Sequence, residues 1–172
     1  MKLPPQVETV LALLEASGFE AFLVGGAVRD YVMGKRAAKD WDTATSALPQ
    51  QVKAVFSGYH LIETGLKHGT VTVVVDHQPI EITTYRTDSG CPSPSLRADL
   101  ERRDFTMNAL AYNPGTGVVD LVGGAGDIEK GIVRCTGDPD RRFREDGLRI
   151  YSMLSTGEIW NPVDLFKVDM PE

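Results

Sequence analysis

Apolar residues in the first half of the chain recur at helical spacing in some segments and form short β-branched runs in others. Residues 7–17 (VETVLALLEAS) have helical spacing and stop at Gly18, which predicts a helix. Residues 21–24 (AFLV) form a short apolar run that ends at Gly25, as a buried strand does. The pattern further predicts a short helix at 28–33, a strand at 41–45, a helix at 49–56, and strands at 61–62, 70–75 and 79–85.

The second half of the chain has a less regular pattern. A loop rich in Pro, Gly and Ser occupies residues 87–95. A helix is predicted at 102–111, with Phe105, Leu110 and Tyr112 available to the core, and a short strand at 118–122. Residues 142–154 again have helical periodicity. This order of elements predicts a mixed α/β domain whose sheet is built largely in the first half.

Composition and charge are those of an ordinary soluble globular protein, with 172 residues, 42% hydrophobic and 24% charged. No apolar run approaches the roughly 20 residues of a membrane helix, and the N-terminus lacks a signal-peptide core, so we expect no membrane contact. The net charge of −6 argues against a surface that binds nucleic acid throughout, although basic patches occur at 97–103 and 141–149. Two cysteines are too few for a disulfide framework, which favours free thiols and a cytoplasmic location.

The segment from Gly25 to Arg29 (GGAVR) has the chemistry of a phosphate site. Two glycines after a strand leave backbone N–H groups unobstructed, and a helix start adds partial positive charge. Arg29 would add a permanently charged, bidentate phosphate ligand. The alternative to a phosphate site is an ordinary turn, because adjacent glycines are common in turns. The chain has neither a P-loop nor a GxGxxG motif.

Asp40 and Asp42 are separated by one residue, so an extended strand would place both carboxylates on one face and Trp41 on the other. Paired carboxylates bind hard cations such as Mg²⁺, which bridge to substrate phosphates. Alone, the pair is equally typical of a solvated strand edge. Together with the glycine turn, it predicts a site for a nucleoside triphosphate and its metals.

At this point the chain resembles the family of tRNA nucleotidyltransferases (CCA-adding enzymes) and bacterial poly(A) polymerases, which are polymerase-β-like nucleotidyltransferases. The segments that carry the resemblance, in order, are LVGGAVRDYVMG, KDWDTAT, LKHGTVT, EITTYR, RRDFTMNA, DLVGG and EDGLR. The resemblance implies a small, mostly antiparallel sheet flanked by helices and followed by the start of a helical neck. It also implies a catalytic head over 1–113, a partial neck over 114–156 and a divergent tail over 157–172.

The resemblance assigns metal binding to Asp40 and Asp42, with Mg²⁺ as the cofactor. It assigns triphosphate contacts to Gly25, Gly26 and Arg29. The expected reaction is transfer of CMP or AMP from CTP or ATP to an RNA 3′-hydroxyl at the tRNA 3′ end.

The remaining roles concern the sugar and the base. Arg103 and Asp104 would contact the ribose and phosphates and help select ribonucleotides. Asp146 and Arg149 would present a Watson–Crick-like edge to CTP or ATP, since a carboxylate accepts from the exocyclic amine that both bases carry. Glu81 is a third carboxylate on the neighbouring predicted strand, with a strand-edge acid as its ordinary alternative.

The sequence also departs from the family pattern. The loop at 87–100 is short and lacks the family's basic-aromatic stretch, and Ser152 and Ser155 stand where arginines are usual. We therefore expect a truncated chain that ends where RNA-gripping helices would follow, with weakened tRNA binding. The alternatives left open are a nucleotide-binding remnant without activity, a chain that needs a separate partner, a poly(A) polymerase and a homo-oligomer.

Overall fold

The computed structural model describes residues 1–35 and 40–145. The strands are β1 (Ala21–Val24), β2 (Asp42–Thr45), β3 (His60–Ile62), β4 (Thr70–Val75), β5 (Gln78–Thr84), β6 (Leu110–Asn113) and β7 (Gly117–Asp120). The α-helices are α1 (Pro5–Ala16), α2 (Gly26–Val32), α3 (Pro49–Val55), α4 (Leu96–Glu101), α5 (Gly124–Lys130) and α6 (Pro139–Glu145). Short 3-10 helices span Leu66–His68 and Thr106–Asn108.

The seven strands form one sheet in the order β3-β4-β5-β2-β1-β6-β7. All neighbours are antiparallel except β2 and β5, which run parallel. The parallel pairing arises because the β3–β4–β5 meander returns to the edge of β2. It brings the start of β2 against the middle of β5, which decides the geometry of the candidate site.

Alternation along the strands gives the sheet two apolar faces. In β4, the buried residues are Val71, Val73 and Val75, while Thr70, Thr72 and Val74 are only partly buried. One face packs with α1, α2 and α3 into the larger core. The other face carries a smaller cluster made of Val24, Ala44, Tyr85, Leu100, Ala109 and Ala111. The smaller cluster leaves the Asp42 end of this second face open to solvent.

The mixed α/β class with a mostly antiparallel sheet is confirmed. The predicted helices and strands between residues 7 and 85 all occur, with ends displaced by at most a few residues. The strand predicted at 118–122 is β7, one residue earlier at its start. Phe105, Leu110 and Tyr112 are buried as expected.

The helix predicted at 102–111 is wrong. The chain instead forms α4, which Ser95 caps through its side chain and which ends at Glu101, then a 3-10 turn and strand β6. All four residues of β6 are buried, because this strand pairs with β1 on one side and β7 on the other. Sheet pairing therefore overrides the local helical spacing. The sequence prediction also missed α5, whose sequence GAGDIEK contains two helix-weakening glycines.

Some predictions fall outside the described residues, among them Asp146, Arg149 and the tail at 157–172. The division between residues 113 and 114 stays a prediction; β6 and β7, which lie on either side of it, form one hairpin. Among the described residues, no helix is long and apolar enough to cross a membrane.

Candidate functional site

The turn between β1 and α2 is built around Gly25. Its φ of 73° and ψ of −143° lie in a region that only glycine enters without strain. A Cβ placed on Gly25 would lie 3.7 Å from Oδ2 of Asp42 and 4.0 Å from Nη1 of Arg103. The turn, a carboxylate and a guanidinium from three distant parts of the sequence therefore meet at one point, where the backbone is left uncovered.

Two carboxylates lie side by side on the open face of the sheet. Asp42 pairs with Val24 on β1 and with Glu81 on β5. Register partners on parallel strands point to the same face, so Asp42 and Glu81 are neighbours there, and both are exposed. Asp40 is also exposed and precedes β2. The register thus brings Glu81, the predicted third carboxylate, beside Asp42.

The electrostatic surroundings of Asp42 are mixed. Partial desolvation by the surrounding protein raises the pKa of its carboxyl above the ordinary value, although the side chain keeps solvent access. The positive charge of Arg103 lowers the pKa of Asp42, and the negative charge of Asp40 raises it further. Asp40 and Asp42 are therefore close enough for their charges to repel, which is a situation that a bound cation relieves.

The donor chemistry at this position fits Mg²⁺. Among residues 1–35 and 40–145, no three His, Cys, Asp or Glu side chains are gathered closely enough to hold a metal by themselves. Magnesium typically takes only one or two protein carboxylates and completes its coordination with water and substrate phosphates. Asp40 and Asp42 can supply those carboxylates, and the adjacent glycine turn leaves space for phosphates.

Arg103 is held in place by a buried carboxylate. Its Nη2 donates to Oδ2 of Asp99 over 2.9 Å, while Arg102 donates to Oδ1 of the same carboxylate. Asp99 is only 1% exposed. Burial alone would raise the pKa of Asp99, but Arg103 and Arg102 outweigh it and hold the pKa below its ordinary value. The two hydrogen-bonded carboxylate oxygens of Asp99 thus hold Arg102 and Arg103, and Nη1 of Arg103 lies near the Gly25 turn.

Arg29 and Asp104 are joined through Asn108. Nη1 of Arg29 donates to Oδ1 of Asn108 over 2.8 Å, and Nδ2 of Asn108 donates to Oδ1 of Asp104 over 3.2 Å. Arg29 is also paired with Asp30 at 2.9 Å. The predicted phosphate ligand and the predicted ribose contact are therefore connected by one side chain.

Sequence reasoning gave no role to Asp99 or Asn108. For Asp99 a signal was present, because an acid three and four residues before two arginines is the spacing of helical ion pairs. The helix was predicted to begin at 102, which hid that spacing. Asn108 had no such signal, since its two partners come from a separate helix and from the preceding turn.

A second concavity is lined by other residues than this site. It has a volume of about 520 Å³, and its walls include Glu101, Thr136 and Arg142. None of the predicted nucleotide or metal residues within 1–35 and 40–145 lines it. The candidate site instead lies on an open face of the sheet, where Asp42 and Glu81 are exposed.

Residues 21–134 match the family model described as the Poly A polymerase head domain. A CCA-adding enzyme from Lactobacillus helveticus (strain DPC 4571) is 46% identical over 151 residues, which cover 82% of this chain and 37% of that relative. A CCA-adding enzyme from Leuconostoc mesenteroides subsp. mesenteroides is 43% identical over 157 residues, which cover 86% of this chain and 38% of that relative. The chain thus spans less than two-fifths of the length of either relative.

The fold is similar to solved structures with related names. The crystal structure of the Bacillus stearothermophilus CCA-adding enzyme in complex with CTP matches with a TM-score of 0.83 and 40% identity, over 90% of this chain and 40% of that one. A tRNA nucleotidyltransferase complexed with a primer tRNA and an incoming ATP analogue matches with a TM-score of 0.71 and 28% identity, over 87% of this chain and 45% of that one.

Proposed function

The chain belongs to the family of the poly(A) polymerase head domain, and we propose that it carries the catalytic centre for transfer of CMP or AMP from CTP or ATP to the 3′-hydroxyl of a tRNA. The observation that carries this proposal is the convergence of Gly25, Asp42, Glu81 and Arg103 on the open face of the sheet. The relatives named above are CCA-adding enzymes, and the structures similar to it include complexes with CTP and with a primer tRNA.

The proposed roles follow from the contacts of each side chain. The backbone at Gly25 and Gly26, together with Arg29 and Arg103, binds the triphosphate oxygens. Asp40 and Asp42 would hold Mg²⁺, which when bound would supply neutralising charge for the leaving pyrophosphate and a lowered pKa for the attacking hydroxyl.

Glu81 adds a third carboxylate next to Asp42, and Arg103 stays fixed by Asp99 while the nucleotide enters. The protein's contribution is thus positioning and charge stabilisation in a fixed framework. Asp104 accepts from the ribose hydroxyl, and Asp146 with Arg149 reads the base. We place this reaction in the cytoplasm, where tRNA ends are processed.

Poly(A) addition is the second candidate, and the description of the matching family model favours it. Both reactions use the same triphosphate and metal site, so the geometry around Asp42 serves either. They differ in the acceptor and in when addition stops. The acceptor RNA therefore separates them experimentally.

The test is an end-addition assay on two RNAs. The purified chain receives CTP alone, or CTP with ATP, and either a tRNA lacking CCA or an unstructured RNA. We expect two additions to the tRNA with CTP alone and three with both nucleotides. An oligo(A) ladder on the unstructured RNA would favour poly(A) addition. Nucleotide binding without any addition would instead identify a binding module.

A further inference from the structure

Asn108 ends the 3-10 helix Thr106–Asn108 and is half-buried between two groups of the candidate site. Its Oδ1 accepts from Arg29 over 2.8 Å, and its Nδ2 donates to both carboxylate oxygens of Asp104, at 3.2 and 3.4 Å. A guanidinium can only donate and a carboxylate can only accept. Only one orientation of the amide satisfies both partners. In it, the amide oxygen of Asn108 faces the positive Arg29 and the amide nitrogen faces the negative Asp104.

Both partners of Asn108 are held on their other sides as well. Arg29 donates through Nε to Asp30 over 3.0 Å, and a Cβ on Gly26 would lie 3.5 Å from its Nη2. Oδ1 of Asp104 also accepts from the backbone N–H of Phe105 over 2.7 Å. Among the residues that the structure describes, Oδ2 of Asp104 makes only the longer bond to Asn108, which leaves it able to accept from a further hydroxyl. The distance between the Arg29 guanidinium and this oxygen is therefore set by Asn108.

We propose that Asn108 is a positioning residue that fixes the phosphate contact of Arg29 and the ribose contact of Asp104 at one separation, so that selection of ribonucleotides over deoxyribonucleotides depends on it. This inference rests on the proposed function, because it concerns the same nucleotide site. Asn108 does not touch the reacting atoms; it acts through its two partners.

Two substitutions test the hydrogen bonds that Asn108 makes with Arg29 and with Asp104. Asn108→Asp keeps an acceptor for Arg29 but places a carboxylate against Asp104, so only the hydrogen bond to Asp104 is lost. Asn108→Ala removes both hydrogen bonds without adding repulsion. The matched control is Asn113→Asp, because Nδ2 of Asn113 donates to Glu15 and to the backbone of Ala21, which begins β1 at the end opposite the Gly25 turn.

The experiment measures dissociation constants for CTP and dCTP with Mg²⁺ by calorimetry, with thermal unfolding as a check on folding. In Asn108→Asp, CTP affinity should fall about tenfold more than dCTP affinity, because both nucleotides lose part of the Arg29 charge to the new carboxylate while only CTP also loses a charge-assisted hydrogen bond at its ribose. In Asn108→Ala, both affinities should fall. Asn113→Asp should leave the ratio of the two affinities as in the parent.

The possible results distinguish a failure of this inference from a failure of the proposed function. A folded Asn108→Asp that keeps the parental ratio of CTP to dCTP affinity overturns the inference while the proposed function stands. If Asn108→Asp does not fold, unchanged affinities in Asn108→Ala overturn it equally. A parent chain that binds neither nucleotide overturns the proposed function, and the inference with it.

Discussion

Asp42→Asn is expected to lower the rate of nucleotide addition by about a thousandfold, equivalent to about 4 kcal/mol of transition-state stabilisation. The amide has nearly the shape of the carboxylate but lacks the charge that attracts a divalent cation. Asp42 faces the glycine turn and neighbours Glu81, so the lost charge lies where the triphosphate and metal are proposed to meet. The rate is measured as single-turnover addition from labelled CTP to a tRNA lacking CCA.

The control for Asp42→Asn is Glu129→Gln, the same loss of charge at an exposed position on α5. Its addition rate should stay within about twofold of the parent, since a solvated surface carboxylate contributes little. Equal rates for Asp42→Asn and Glu129→Gln would remove Asp42 from the catalytic centre.

Gly124→Ala is expected to lower the free energy of unfolding by about 3 kcal/mol or more. Gly124 is buried at the start of α5, where a Cβ would overlap the backbone oxygen of Thr106 and lie 2.7 Å from its carbonyl carbon. The obstacle is backbone, which cannot rotate aside. The hydroxyl of Thr106 also donates to Asp127 over 2.7 Å, so α5 and the 3-10 helix would be forced apart at a buried contact.

The matched control is Gly126→Ala, two residues further along the same helix. A Cβ there meets nothing within 4 Å, so this variant should be neutral or up to about 1 kcal/mol more stable, as alanine is the better helix former. Urea unfolding of the parent and both variants measures the difference. Because the 3-10 helix carries Asn108, Gly124→Ala should also weaken CTP binding. A Gly124→Ala chain as stable as Gly126→Ala would contradict the close packing of α5.

The periodic part of the sequence predicted the fold well, and the part around residue 105 did not. Between residues 7 and 85, strands and helices have clear spacing, and glycine or proline marks their ends. The segment RRDFTMNALAY has apolar residues at spacings that suit a helix as well as a strand. Whether this segment forms a helix or a strand depends on the open edge of β1, with which Leu110–Asn113 pairs. A long-range partner of this kind cannot be read from local spacing.

The candidate site was predictable where one segment carries it, as in the Gly25 turn and the Asp40–Asp42 pair. Its assembly depends on registers that join distant segments: Asp42 with Glu81 through a parallel pairing, and Arg29 with Asp104 through Asn108. The burial of Asp99 likewise depends on packing of α4 against the smaller apolar cluster, to which Leu100 belongs. The sequence can suggest such residues only after the fold is known.

Asp40, Asp42 and the glycine turn are proposed to form one triphosphate–metal site. Calorimetric titration of CTP into the parent chain and into the Asp40→Ala/Asp42→Ala double variant, each with and without Mg²⁺, tests it most directly. We expect Mg²⁺-dependent binding by the parent and at least a tenfold weaker affinity in a double variant that unfolds at the parental temperature. A folded double variant that binds CTP with Mg²⁺ as tightly as the parent would contradict it.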